Sequence, residues 1–158
     1  MLVKFSYGGK VLRFLPCDEP LQPADDPHTP ITWATVIATH QGRYVLMYNI
    51  NRQQWENPGG GREPGESCYE AAIRETIEET SQMVTNLRCQ GLFKLWLSNT
   101  KRSEYGALYT GTVDELQPFI ENRESDRICL WAPHEPLEEP ISELTVFLLG
   151  LLDGTETP

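Results

Sequence analysis

One helix signal, flanked on both sides by β-rich runs, most limits what this chain can fold into. Ser67 followed by Glu70 has the form of a capping box, with Ser67 as N-cap and Glu70 at the third helical position. The helix is expected to run to about Thr80 or Gln82. Before it, Leu2–Tyr7 and Val11–Leu15 flank the turn signal Gly8-Gly9, and residues 31–39 and 44–49 flank His40-Gln41-Gly42-Arg43. Trp55-Glu56-Asn57 reads as a short strand entering Pro58-Gly59-Gly60-Gly61. After the helix, residues 84–97, 105–113 and 127–131 are strand candidates, and Ile141, Leu144, Thr145, Leu148, Leu149 and Leu152 recur at helical spacing. A central helix within a strand series, plus a terminal helix, predicts a mixed sheet between helices.

Residues 16–30 hold five prolines and four acidic residues, so they read as an extended connection lacking donors and apolar periodicity. That segment is too short to separate domains, and the hairpin of residues 1–15 is too small to fold alone. The 158 residues are therefore read as one domain, 1–158.

A net charge of −10 argues against nonspecific nucleic-acid binding, which needs Lys and Arg to displace condensed counterions. It leaves room for a small phosphorylated nucleotide if divalent metal is interposed. The N-terminal residues lack a basic stretch followed by an apolar core, and the apolar run at 146–152 is too short to span a bilayer. A cytoplasmic protein without a membrane partner is expected, and a homodimer is left open. Cys17, Cys68, Cys89 and Cys129 show no metal-site spacing and read as reduced, mostly buried thiols; His28, His40 and His134 read as surface or loop residues.

The charges on the helix are the unusual part. At 100° per residue, Tyr69, Ile73, Thr76, Ile77 and Thr80 share a face expected to pack on the sheet. Glu75, Glu78 and Glu79 share another, and Arg74 is the one basic side chain within helical reach. Glu75 and Glu79 are a like-charged i, i+4 pair, unfavourable by about 0.2–0.5 kcal/mol. Glu78 and Glu79 lie where the helix dipole disfavours negative charge. A solvated acidic face is the ordinary explanation of such a stretch. The preceding glycines change the balance, because they let a backbone approach a ligand and permit positive φ. Acceptor-only carboxylates suit a hard cation, Mg²⁺ or Mn²⁺, better than zinc.

In this stretch the chain resembles the Nudix family, whose box reads G-x5-E-x7-R-E-U-x-E-E-x-G-U, U being aliphatic. Gly60, Glu66, Arg74, Glu75, Glu78 and Glu79 all fall in register, from Gly60 to about Gln82. At residue frequencies of roughly 6%, a chance match in such a chain is on the order of one in 10⁵. Ser81 stands in place of the usual Gly, Gln82 in place of an aliphatic residue, and Thr76 at an aliphatic position. Ser81 is then expected either to adopt left-handed geometry at about 1 kcal/mol or to reshape the helix exit.

The resemblance implies an α/β fold, a Nudix-type α/β/α sandwich with a mixed β-sheet, here with the N-terminal β-hairpin added. It implies a metal-dependent pyrophosphohydrolase acting on a nucleoside diphosphate linked to another moiety. A nucleoside triphosphate is favoured, since the chain carries no obvious specificity insertion. Glu75, Glu78 and Glu79, with the Gly60 carbonyl, would hold Mg²⁺ or Mn²⁺. Arg74 would orient the carboxylates, itself supported by Glu66. Glu78 or an acidic residue after the box would serve as base, Glu124 first, with Glu104 and Glu121 behind. Trp33 and Trp55, with Trp96, are candidates for stacking on a base, and Arg62 for binding substrate. The competing reading is a non-catalytic Nudix-fold module that binds a nucleotide or ADP-ribose and regulates a partner; retention of every box carboxylate speaks against it.

Overall fold

In the computed structural model, residues 1–6 and 8–154 are described; Tyr7, at the end of the first expected strand, and residues 155–158 of the expected domain lie outside the described residues. Strands β1 (Val3–Phe5) and β2 (Gly9–Pro16) form the expected hairpin, with Gly8 at φ +92°. The hairpin is not a separate unit. β2 continues antiparallel along β7 (Thr85–Leu97), from Gly9 opposite Leu97 to Pro16 opposite Gly91. β7 pairs in turn with β8 (Arg102–Thr112), and β8 runs parallel to β3 (Ile31–His40).

β3 and β4 (Arg43–Asn49) meet at only two register pairs, Thr39 with Tyr44 and His40 with Arg43. Beyond them the strands part. β3 takes up β6 (Gly59–Gly61), while β4 takes up β5 (Gln54–Glu56) and β9 (Ser125–Trp131). Helix α1 (Cys68–Thr80) lies against β3, β4, β6 and β9, over the place where the sheet divides. Helix α2 (Glu143–Leu152) packs on the opposite face. The outcome is the expected mixed sheet between two helices.

Alternation along β3 sends Ala34, Val36 and Ala38 to a core shared with α1, and Ile37 with Trp33 to a core shared with α2. The connection of residues 17–30 has no regular element, as expected, but it is firmly held. Asp26 accepts hydrogen bonds from Lys94 Nζ (2.5 Å), Tyr105 Oη (3.1 Å) and Thr29 Oγ1 (2.7 Å).

Three expectations are corrected. The glycines 59–61 are a strand, not a loop, and none has positive φ; Gly65 supplies the left-handed residue before the helix. Of the expected packing face of α1, Thr76 and Thr80 are buried and Ile73 is partly so, but Tyr69 and Ile77 are exposed, and Cys68, Ala71 and Ala72 are buried in their place. Small side chains win because β3 and β6 present alanine and glycine, so the helix can approach closely only through a small-residue face. Finally, His40 is buried, with its Nδ1 2.7 Å from the Val113 carbonyl oxygen, whereas His28 and His134 are exposed. The thiols are free as expected, with Cys68 and Cys89 buried and Cys17 and Cys129 partly so.

Candidate active site

The start of α1 is built as its sequence dictates. The Glu70 N–H donates to Ser67 Oγ (3.1 Å) and the Ser67 N–H donates to a Glu70 carboxylate oxygen (2.9 Å). Such a cap stabilises by about 1 kcal/mol and fixes where the helix begins. One turn further, Arg74 gathers the loop and the helix together. Its Nε and Nη2 donate to the two Glu66 oxygens (2.7 and 2.9 Å), and Nη2 also donates to the Gly61 carbonyl (2.8 Å). Nη1 donates to Glu75 (2.8 Å) and Glu78 (3.1 Å). The guanidinium holds the Glu66 carboxyl down at a pKa of about 2, below the usual range, and the carboxylates raise that of Arg74 in turn.

Glycine is required where Glu75 meets β6. A Cβ on Gly60 would stand 2.4 Å from a Glu75 carboxylate oxygen, so any side chain there would displace the carboxylate. Glu79 accepts the Gly59 N–H at 3.2 Å and is only 4% exposed, in the middle of the buried face of α1. Burial drives the Glu79 pKa well above the ordinary carboxylate value, and the charges of Glu124 and Glu75 push it the same way. Glu124, at the exposed rim, is also raised, first by partial desolvation and then by Glu75, while Arg52 opposes the shift.

Thus Glu75 packs on Gly60 and Glu79 is held to Gly59, while the charges of Glu75, Glu79 and Glu124 act on one another. Glu78 is more exposed and is turned towards Arg74. Among the described residues, no group of three or more His, Cys, Asp or Glu side chains converges closely enough to hold a metal ion on its own. The donor chemistry nevertheless fits a hard cation. A buried carboxylate beside a second one, in a cradle without a Cβ, is charge gathered at a cost unless a cation offsets it.

The loop carrying Glu124 is fixed by two of the three departures from the box, Ser81 and Gln82. Ser81 does take left-handed geometry (φ 61°), and its Oγ accepts the Ile120 N–H at 2.9 Å. Gln82 is fully buried; its Nε2 donates to the carbonyls of Thr80 (3.0 Å) and Gln117 (2.8 Å), and its Oε1 accepts the Gln117 N–H (2.8 Å). Asn122 Oδ1 then accepts the N–H groups of Glu124 (3.1 Å) and Ser125 (3.0 Å).

A cleft of about 320 Å³ opens on the other side of β6, lined by Gly59–Gly61, Trp33, Arg52, Glu56, Glu104 and residues of β1, β7 and α2. Trp33 therefore does line a cavity. Trp55 does not: it is 5% exposed, packed edge-on against Tyr48, with its Nε1–H donated to Glu139 (3.1 Å). Burial removes it as a stacking surface. The Arg62 guanidinium is occupied by the main chain, donating to the carbonyls of Glu66 (2.9 Å) and Ile31 (2.8 Å), which makes it a brace of the loop. Glu104 sits in the cleft and accepts the Thr32 hydroxyl (2.7 Å), and Glu121 is exposed.

Sequence reasoning passed over Arg52 and Glu56. Glu56 accepts from Arg52 Nη1 (3.2 and 3.3 Å), Gln54 Nε2 (2.7 Å) and Asn49 Nδ2 (3.1 Å), so it is a saturated buried carboxylate that holds Arg52 at the rim. An acidic residue flanked by Trp and Asn in a short strand carried no signal for that role.

The chain is similar to known proteins in sequence and in fold. A Bacillus subtilis protein assigned as an 8-oxo-dGTP diphosphatase is 42% identical over 50 residues, 25% of this chain and 34% of that protein. The RNA pyrophosphohydrolase of Cronobacter sakazakii is 32% identical over 62 residues, 39% of this chain and 35% of that protein. These matches span about a third of the length of each relative. The fold is similar to that of the crystal structure of a mutant of the Bacillus subtilis pyrophosphohydrolase BsRppH, at TM-score 0.71 and 23% identity over 96% of both chains. It is also similar to that of a NUDIX hydrolase from Nitrosomonas europaea, at TM-score 0.67 and 20% identity over 82% of this chain and 93% of that one. The NUDIX domain family matches residues 13–146, a span that runs from β2 through the glycine strand and the carboxylate helix into α2, and the chain belongs to that family.

Proposed function

We propose that this protein is a divalent-metal-dependent pyrophosphohydrolase that cleaves the phosphoanhydride of a nucleoside diphosphate linked to another group, with a nucleoside triphosphate as the first candidate. The observation that carries this reading is the placement of Glu79, a buried carboxylate held to the Gly59 N–H beside Glu75 and near Glu124. The names of the two relatives, an 8-oxo-dGTP diphosphatase and an RNA pyrophosphohydrolase, agree with phosphoanhydride chemistry at a nucleotide.

Glu75 and Glu79, with Glu78 and the Gly60 carbonyl, would hold Mg²⁺ or Mn²⁺. Bound there, the cation would neutralise charge on the phosphoryl oxygens. Arg74 keeps Glu75 and Glu78 oriented and is itself locked by Glu66. Glu124 is the first candidate for the base, because partial desolvation and the neighbouring Glu75 make its carboxylate more basic than an ordinary one. Glu78 is the second. No membrane partner is called for, and no described helix is long and apolar enough to cross a membrane.

The test is hydrolysis of nucleoside triphosphates, 8-oxo-dGTP, ADP-ribose, diadenosine polyphosphates, NADH and triphosphorylated RNA, each with Mg²⁺ and with Mn²⁺. Turnover of at least one, lost in Glu124→Gln, is expected. Tight binding of one compound without turnover of any would overturn the assignment.

A further inference from the structure

The cleft on the far side of β6 has a chemistry that selects among bases. It shares the glycine strand with the carboxylate site: Gly59 gives its N–H to Glu79 on one side and lines the cleft on the other. A nucleotide whose phosphates reach the carboxylates would therefore have a cavity within reach of its base. Its wall contains the partly exposed indole of Trp33, fixed edge-on against Phe93 at 4.9 Å and seated over Gly106, where a Cβ would stand 2.8 Å from the ring. An indole held this firmly is a stacking surface with little entropy left to lose.

The polar groups in the cleft are not equivalent. Glu56 is saturated by Arg52, Gln54 and Asn49, and Asn57 is engaged with Thr35 and Thr145. Glu104 is different. Its side chain is 14% exposed, Oε2 accepts the Thr32 hydroxyl, and Oε1 has a 3.6 Å ion pair with the exposed Arg102. An ionised carboxylate has about four lone-pair sites and no donor, so Glu104 retains acceptor capacity in the cleft.

Such a carboxylate discriminates by elementary complementarity. Guanine carries two adjacent donors on one edge, N1–H and the N2 amino group, which match the two oxygens of a carboxylate. Adenine and cytosine place a ring-nitrogen acceptor beside their amino group, and uracil flanks its one N–H with two carbonyls. Each of these would set a lone pair against Glu104. We infer that the cleft between β6 and α2 is a guanine-selective base pocket, with Glu104 reading the N1–H and N2 amino donors and Trp33 stacking on the ring. This rests on the proposed function for the phosphate half of the ligand, but it is carried by the cleft alone.

The experiment compares GTP, ATP, CTP and UTP as substrates with Mg²⁺, and in parallel measures equilibrium binding of GMP and AMP. A preference for the guanine nucleotide of at least about tenfold is expected in both measurements, the size a buried hydrogen-bonding group can enforce. In Glu104→Gln, whose amide places a donor against guanine, that ratio should fall to about threefold or less. Equal kcat/KM for GTP and ATP in the wild type would overturn the pocket and leave the hydrolase standing. Selective GMP binding without any turnover would do the reverse. A guanine preference undiminished in Glu104→Gln would remove Glu104 as the reader, and with it this inference.

Discussion

The Ser81 hydroxyl accepts the main-chain N–H of Ile120 at 2.9 Å, so the left-handed residue that ends α1 also anchors the loop leading to Glu124. Glycine at this position would relieve backbone strain and lose the anchor.

Ser81→Gly separates the two effects. Relief of left-handed strain favours the variant by about 1 kcal/mol, and loss of the hydrogen bond costs about 0.5–1.5 kcal/mol, so net stability should change by less than about 1 kcal/mol. Hydrogen exchange at the Ile120 amide should nonetheless accelerate at least about tenfold, the loop having lost its tether. An unchanged exchange rate would show that the hydroxyl does not hold the loop.

Gln82→Leu restores an aliphatic residue of similar size at a fully buried position. It leaves the N–H and carbonyl of Gln117 without their partner, a loss of about 1–3 kcal/mol that added apolar burial only partly offsets. Urea melts should show the variant less stable. A variant as stable as the wild type would mean that the loop finds other partners.

Asp26 gives the protein a specific acid sensitivity. The Lys94 hydrogen bond, followed by those from Thr29 and Tyr105, lowers its pKa to about 2 from an ordinary 3.8. A depressed carboxylate contributes stability above its unfolded pKa and loses it as pH falls through the folded value. The window is therefore from about pH 4 to pH 2. Asp26→Asn should shrink the loss of stability across that window by about one proton's worth of slope. Identical slopes in the two proteins would mean that Asp26 titrates normally.

Activity is expected to vanish in EDTA and to return with Mg²⁺ or Mn²⁺, since the gathered ligands are oxygen donors. The same cations should raise the melting temperature of the intact protein by binding the folded state alone. Full turnover in metal-free buffer would remove the mechanism proposed above.

What was legible in the sequence was local. The spacing from Gly60 to Glu79 and the capping box at Ser67 and Glu70 depend on one strand and one helix, so they could be read from order alone. The face of α1 was misread because apolar bulk was weighed above fit: Ile77 and Tyr69 are more hydrophobic than Ala71 and Ala72, but only small residues allow the helix to reach β3 and β6. Gly59–Gly61 read as a loop because glycine usually marks a turn, whereas here the absence of a Cβ serves close contact with Glu75 and Thr35. The cleft was invisible for another reason. Trp33, Glu56 and Glu104 come from three strands that only the β3–β8 crossover and the division of the sheet bring together.

Glu79→Gln brings function and stability into opposition. Gln keeps the shape and an oxygen that can accept the Gly59 N–H, but it removes a charge from the cation site. Turnover should fall by about 10³, equivalent to about 4 kcal/mol of lost transition-state stabilisation. Metal-free stability should move the other way, by about 1 kcal/mol at pH 8, because repulsion with Glu75 and unfavourable charge in the last helical turn both disappear. The pH dependence identifies the cause. Burial raises the folded pKa of Glu79, so its folded form is favoured when protonated. That stability is present below the ordinary value of 4.5 and is lost as pH rises towards the raised folded pKa. Wild-type protein in EDTA should therefore lose stability between pH 5 and pH 8, and Glu79→Gln should lose less. A merely solvated acidic residue would give a small stabilisation without loss of activity. A carboxylate that holds the structure together would give destabilisation at every pH. Urea melts at the two pH values, combined with steady-state rates on the same variant, separate these outcomes, and full activity in Glu79→Gln would end its assignment as a metal ligand.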